Sequence, residues 1–265
     1  MIPVAMSIAG SDPSGGAGIQ ADLKVFQQFD VFGTTVVTLL TVQNTAGVRN
    51  VQTCSADFVA AQLDAVLEDI PPAAAKTGAL GSWEIVNLVA ERAADFPFPL
   101  IVDPVIVSKS RDRLIDERGL EAVRKRLLPR ALLATPNAYE AEALTGIAVL
   151  DEPSMIRAAE AVARFGSRYV LLKGPDIAAD APDLLWTEGN CTFFRTERIR
   201  TPHTHGSGCA FSAAISAGLA VGMSMLDAVQ TAKDFVTDAI RRAPGLGHGR
   251  GPLNLNSRPS RSPHG

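Results

Sequence analysis

VAMSIAGSDPSGGAGIQAD, residues 4–22, decides the fold. An apolar run, Val4–Ala9, stops at Gly10, and four glycines follow within nine residues (Gly10, Gly15, Gly16, Gly18) before Ile19, Gln20, Ala21 and Asp22 enter a helix. A short apolar run bounded by glycine reads as a strand buried on both faces. Strand, glycine-rich loop and helix in that order are the first unit of an α/β sheet, and glycines there let the backbone approach a ligand closely. Gly16–Ala21 also matches the weak dinucleotide pattern. That pattern needs an acidic residue about 20 positions on, and Thr38–Val42 supplies none, which argues against a nicotinamide cofactor.

Working outward, the same alternation continues. Apolar runs at Thr35–Thr41, Ala73–Thr77, Leu100–Asp103, Leu132–Thr135 and Tyr169–Lys173 predict further strands. Helical stripes lie between and after them. Val59, Leu63, Val66, Leu67 and Ile70 form one, with Ser55 as N-cap; Met155, Ile156, Ala159, Val162 and Ala163 form another, ended near Gly166; Leu226, Val229, Ala232 or Lys233, Val236 and Ile240 form a late one. Asp183–Thr187 and Thr192–Thr196 around Glu188-Gly189-Asn190-Cys191 predict an antiparallel edge hairpin. The expected fold is α/β: a single-domain, three-layer α/β/α arrangement with a mostly parallel central sheet, over residues 1–253. Residues 254–265, rich in Ser, Arg and Pro, are expected to form a disordered tail.

The 265 residues are 46% hydrophobic and 20% charged, with a net charge of -3, so the chain as a whole is no basic nucleic-acid binder. No stretch reaches the length of a membrane span. The apolar start lacks a charged leader and reads as the first strand. Cys54, Cys191 and Cys209 are odd in number and scattered, which fits neither a disulfide framework nor a zinc site. A cytoplasmic setting is the expectation.

Ligands on such a sheet bind beyond the carboxyl ends of its strands, and the unusual residues fall there. Thr204-His205-Gly206-Ser207-Gly208-Cys209 opens an Ala-rich helix, where successive backbone N–H groups make an anion site. Cys209 sits in the first turn, and the helix dipole is expected to lower its pKa. Proton transfer, nucleophilic attack and plain packing are all open to it. Thr135-Pro136-Asn137-Ala138-Tyr139-Glu140 leaves another strand, with Asn137 and Glu140 on one helix face. An N-cap with an acidic first turn and an Mg²⁺ contact both fit that pair. Asp103-Pro104-Val105, Lys173-Gly174 and Gln43-Asn44-Thr45 mark three more strand ends. No Gly-Lys dipeptide occurs, which excludes a Walker A loop.

Taken in order, AGSDPSGGAGIQADLK (9–24), VQNTAGV (42–48), KTGAL (76–80), VDPVIVSKS (102–110), LLPRALLATPNAYEAEAL (127–144), LLKG (171–174), HTHGSGCAFSAAIS (203–216) and GHGRGP (247–252) resemble the ribokinase-like superfamily. More narrowly they resemble its hydroxymethylpyrimidine/phosphomethylpyrimidine kinases of thiamin biosynthesis, over about residues 4–253. The resemblance implies ATP-dependent phosphorylation of a hydroxymethylpyrimidine, then of its monophosphate, by a homodimer using ATP and Mg²⁺. Pyridoxal kinase is the related alternative.

It further implies that Gly10, Asp22, Gln43, Ala79 and Val105 line the pyrimidine pocket. Gly206, Ser207, Gly208 and Cys209 would form the catalytic anion hole. Asn137, Lys173, Ser207, Ala232 and Lys233 would bind ATP, with the Gly247–Gly251 loop near the nucleotide. Asp103 and Glu140 would hold Mg²⁺. The chain departs from the family pattern at Ala79, where Met is common; at Arg111, where Gly is usual; at Pro175-Asp176, where Gly-His is common; and at Ser207, where Thr is usual.

Overall fold

The computed structural model describes residues 2–106, 114–174 and 182–257. The predicted strands form: β1 (Val4–Ser11), β2 (Phe32–Asn44), β4 (Ala74–Thr77), β5 (Leu100–Val102), β6 (Leu133–Ala134) and β7 (Tyr169–Lys173). One strand escaped the sequence reading. β3 (Gly47–Thr53) folds back antiparallel on β2, pairing Leu39 with Thr53 and Asn44 with Gly47. Most of β3 is exposed, so it carries no buried apolar run to betray it. β8 (Asp183–Thr187) and β9 (Asn190–Phe194) form the expected hairpin. Its second strand begins two residues early, because Glu188 and Gly189 both adopt positive φ (47° and 81°) and close a two-residue turn that pairs Thr187 with Asn190.

The nine strands form one sheet in the order β3-β2-β1-β4-β5-β6-β7-β8-β9. The six from β2 to β7 run parallel, and β3, β8 and β9 are antiparallel additions at the two edges. The helices are α1 (Gly18–Gln28), α2 (Ala56–Asp69), α3 (Trp83–Arg92), α4 (Glu117–Ala122), α5 (Ala138–Thr145), α6 (Glu152–Ala163), α7 (Ser207–Ala220) and α8 (Met225–Arg241). The expected caps are present: the Ser55 side chain accepts from Phe58 N at the start of α2. Leu226, expected on the buried stripe of α8, is instead exposed.

Two cores sandwich the sheet. Met6, Ile8, Val102 and Leu172 face one side, with Leu63 of α2, Val89 of α3, Leu120 of α4, Ala141 of α5 and Val162 of α6. Ala5, Ile101, Leu133 and Leu171 face the other, with Phe26 of α1, Ala213 of α7 and Phe235 of α8. Strand neighbours thus part to opposite faces, as pleating requires. Ala210–Gly218 of α7 is buried without interruption. Its small residues let it lie deep: a Cβ on Gly218 would come within 3.0 Å of the Ala228 Cβ. Packing does not stop at residue 253 as expected, since Leu255 and Ser257 are buried, Leu255 within the α7–α8 core.

Candidate active site

Parallel strands bring their carboxyl ends to one rim, and there a cavity of about 500 Å³ opens. Gly10 lines it from the end of β1, Gln43 from β2, Ala79 after β4, and Asp103 and Val105 after β5. Asn137 and Glu140 line it after β6, Lys173 from β7, and Gly206 to Cys209 from the start of α7.

The start of α7 is shaped to receive an anion. Gly206 is the N-cap in the left-handed region (φ 81°), without a side-chain cap. A Cβ there would overlap the Gly16 carbonyl, so glycine at 206 is what lets this loop dock on the first one. By helix geometry the first N–H groups lack intrahelical partners. Gly208 leaves space in front of them: a Cβ there would lie 3.3 Å from Lys173 Nζ and 4.0 Å from Asp103 Oδ2. Lys173 Nζ donates to Asp103 Oδ1 at 3.0 Å, and Thr135 Oγ1 donates to the same oxygen at 3.0 Å. Burial pushes the Asp103 carboxyl up, but Lys173 and Lys76 overcome it and hold it below the usual carboxylate value. Burial pulls Lys173 down, yet Asp103 and Glu140 keep it above the ordinary lysine value.

Two expectations fail beneath this floor. Asp22 does not line the cavity. It is fully buried, accepting from Ser7 Oγ at 2.5 Å and Lys76 Nζ at 3.1 Å, because its place in the second turn of α1 sets it against β1 and β4 instead of over the rim. Cys209 has no lowered pKa. Burial pushes the thiol up to about 11, aided by Asp22 and Asp103, and outweighs the Lys76 charge and the Gly18 backbone N–H that lower it.

Lys76 was missed. It is fully buried, and Asp22, Cys209 and Asp103 raise its pKa against the pull of burial. A charged residue within the apolar run Ala73–Thr77 was the available signal.

A second cavity of about 580 Å³ adjoins the first and shares Lys173, Gly174, Ser207 and Gly208 with it. Arg198, Arg200, Arg250 and Lys233 line it. Lys233 Nζ pairs with Asp183 Oδ2 at 2.6 Å. Ala232, expected at the nucleotide, is fully buried in the α7–α8 core and touches neither cavity. Its side chain sits on the face of α8 opposite to solvent.

Asn137 and Glu140 form a reciprocal capping box on α5, each side chain accepting the other's backbone N–H at 2.9 Å. Their cap role and their place on the cavity wall coexist. Among the described residues no group of three or more His, Cys, Asp or Glu gathers as a metal cage. Asp103 and Glu140 instead offer hard carboxylate oxygens to an open cavity, a donor set suited to a dication that keeps water and phosphate ligands. Arg111 and the Lys109–Asp112 loop, with Pro175 and Asp176, lie outside the described residues. The sequence reading also missed Asp12 and His205, whose side chains meet at 2.7 Å on the cavity wall.

The sequence profile of the family described as phosphomethylpyrimidine kinase matches residues 12–254. The chain is 46% identical over 254 residues to a hydroxymethylpyrimidine/phosphomethylpyrimidine kinase of Synechococcus elongatus, covering 95% of this chain and 97% of that protein. It is 44% identical over 251 residues to the thiamine biosynthesis bifunctional protein ThiED of Geobacter sulfurreducens, covering 94% of this chain and 51% of that longer protein. The structure superposes on an ADP complex of Bacillus subtilis pyridoxal kinase with a TM-score of 0.89 and 35% identity, covering 97% of this chain and 98% of that one.

Proposed function

The chain belongs to the phosphomethylpyrimidine kinase family, a family of phosphotransferases, and from that premise we propose how its residues divide the work. ATP is the donor. The acceptor is the hydroxymethyl group of 4-amino-5-hydroxymethyl-2-methylpyrimidine, and then the monophosphate so formed, on the way to thiamin. The observation that carries this reading is the junction of the two cavities. The cavity beside Arg198, Arg200 and Lys233 suits a polyphosphate, the one beside Gly10, Gln43, Ala79 and Val105 suits a flat ring, and Lys173, Ser207 and Gly208 belong to both.

A phosphoryl group crossing from nucleotide to alcohol passes in front of α7. The transition state is loose, so catalysis is chiefly positioning and charge stabilisation. The amides of Gly208 and Cys209 and the Lys173 ammonium face the moving charge. Lys173 also holds Asp103 in place, and Thr135 fixes the second lone pair of the same carboxylate oxygen. Asp103 and Glu140 would hold Mg²⁺, which would supply charge neutralisation on the phosphate oxygens. With a pKa near 11 the Cys209 thiol keeps its proton at neutral pH, so it acts as a hydrogen-bonding group toward the substrate oxygen. It does not act as a resident base. Asn137 and Lys233 border the nucleotide, while Asp22 and Lys76 act from below, setting the field under Cys209. The cytoplasm, where ATP is abundant, is the setting that fits.

A substrate panel tests the reading. Purified protein with MgATP is given hydroxymethylpyrimidine, its monophosphate and pyridoxal, and products are weighed by mass spectrometry. We expect mono- and diphosphate from the pyrimidines; a higher kcat/KM for pyridoxal would overturn the substrate assignment. Cys209→Ala is expected to lower kcat by roughly 10²-fold, the scale of losing one preorganised hydrogen bond at the reacting centre. In a Cys54→Ser/Cys191→Ser background, thiolate absorbance should rise with a midpoint near 11, and a midpoint near 7 would restore Cys209 as a base. The homodimer belongs to the same proposal. Leu40 and Val42 stand 50% and 56% exposed on the β2–β3 edge, and light scattering should return twice 27.9 kDa.

A further inference from the structure

Three polar side chains meet at the rim where the first loop, β2 and the α7 loop touch. Asp12 Oδ1 accepts from Ser14 N at 2.9 Å and Ser14 Oγ at 2.7 Å; Oδ2 accepts from Ala17 N at 2.9 Å and also meets Ser14 Oγ at 2.9 Å. Burial raises the Asp12 carboxyl, but His205 and Ser14 prevail and hold it below the usual value. It is therefore an anion that only accepts. His205 Nε2 lies 2.7 Å from Oδ2, so a proton must sit on Nε2 for the contact to be favourable.

Gln43 meets the same ring nitrogen at 3.3 Å. A protonated Nε2 cannot accept from an amide N–H. It can share its proton with the amide oxygen, and the two arms of a carboxamide differ only in their hydrogens. The satisfied arrangement turns the Gln43 oxygen to His205 and leaves the amide N–H₂ for the cavity that Gln43 lines.

The ring itself has no freedom to choose otherwise. A Cβ on Gly16 would come 2.6 Å from His205 Cδ2, and His205 N donates to Gly251 O at 3.1 Å. His205 is 6% exposed.

We propose that His205, oriented by Asp12, is a positioning residue that fixes Gln43 as a hydrogen-bond donor. The cavity then selects a ring offering a bare nitrogen lone pair at that edge. The proposal rests on the pyrimidine-kinase reading for the substrate, though its geometry does not. Once a bound ring covers it, a donor left without its acceptor discriminates about tenfold against rings that carry C–H there.

The first test needs no substrate. In ¹⁵N-labelled full-length protein, with His205→Gln used to assign the signal, His205 should carry its proton on Nε2. A bare Nε2 overturns the proposal even if the enzyme is a pyrimidine kinase.

The second test is kinetic. In Asp12→Asn, the amide oxygen keeps Ser14 N while the N–H₂ takes the Oδ2 position, giving up the bond to Ala17 N. Its N–H, offered to Nε2, moves the proton to Nδ1 and turns the Gln43 oxygen toward the cavity, a move that loss of the Nε2 proton in the variant's ¹⁵N spectrum checks. KM for hydroxymethylpyrimidine should rise about tenfold, the value of one hydrogen bond, with kcat and the KM for ATP changed less than about twofold. Pyridine analogues replacing each ring nitrogen in turn by C–H sharpen the readout. One of them should lose about tenfold in kcat/KM with the wild type and almost nothing with Asp12→Asn. Equal losses for every ring in both proteins would mean that Asp12 is merely structural, and would overturn the assignment. Absence of any pyrimidine turnover by the wild type would sink the substrate reading and leave the tautomer result standing.

Discussion

Two glycine-rich loops run into two helices, and they do opposite things. The first, Gly10–Gly18 before α1, is filled by the chain's own carboxylate: Asp12 accepts from Ser14 N and Ala17 N, consuming the donors that face the loop. The second, Gly206–Gly208 before α7, has no side-chain cap and looks onto Lys173. Glycine serves different partners in each. Gly16 makes room for the His205 ring, whereas Gly208 leaves open the space in front of Lys173. The same composition signal thus marks a clasp that orients the His205 ring in one place and an anion site in the other. The sign of the nearest charge decides which.

The sharpest way to break this contrast is to remove the cation. Lys173→Met should lower kcat/KM roughly 10³-fold, the scale of losing a preorganised charge at a transferring phosphoryl. It also strands Asp103, 2% exposed, without its ion-pair partner, at a cost of about 3–5 kcal/mol, so thermal unfolding belongs beside the kinetics. Near-normal turnover from a folded variant would erase the distinction between the loops.

Gly208→Ala separates activity from stability. It places a methyl 3.3 Å from Lys173 Nζ. We expect kcat to fall about 10²-fold while Tm changes little, since Gly208 lies in the first turn of α7, outside the helix interior where Ala outranks Gly. The matched change in the first loop, Gly16→Ala, presses on His205 Cδ2 and should raise the pyrimidine KM severalfold, leaving the KM for ATP alone. If both glycines gave the same profile, the two loops would not be doing different jobs.

How much of this was legible follows from what each residue's signal is made of. The buried parallel strands announce themselves as apolar runs, and the loops at their ends stand out against them. β3 does not, because its exposed side chains carry no pattern that separates it from a loop. That Gln43, Val105 and Lys173 lie at strand ends follows from the apolar runs before them; their pocket roles, and that of Ala79, come with the family resemblance, and all four do line the cavity. Whether a side chain points over the rim or under it does not follow from those runs, which is why Asp22 was assigned to the pocket and Lys76 went unnoticed. The Cys209 expectation went astray for a related reason. A helix start is visible in sequence, whereas the desolvation that raises the thiol, with Asp22 of α1 and Lys76 of β4 set beneath it, appears only when α1, β4 and α7 pack together.

The smallest effect expected concerns acid stability, and it sharpens the account of the second loop from the protein's own side. Asp103 has a folded pKa below its ordinary 3.8, because Lys173 and Lys76 overcome burial. A depressed carboxylate contributes stability that is present in full above the unfolded value and disappears as pH falls through the folded one. The wild type should therefore lose Tm on passing below pH 3.8, over and above the loss common to its other acids. Asp103→Asn starts from a lower Tm at pH 7 and should show a shallower decline through that window. Parallel slopes for the two proteins would mean that Asp103 titrates alike folded and unfolded. The cation beside α7 would then have to be neutralised by something other than this carboxylate.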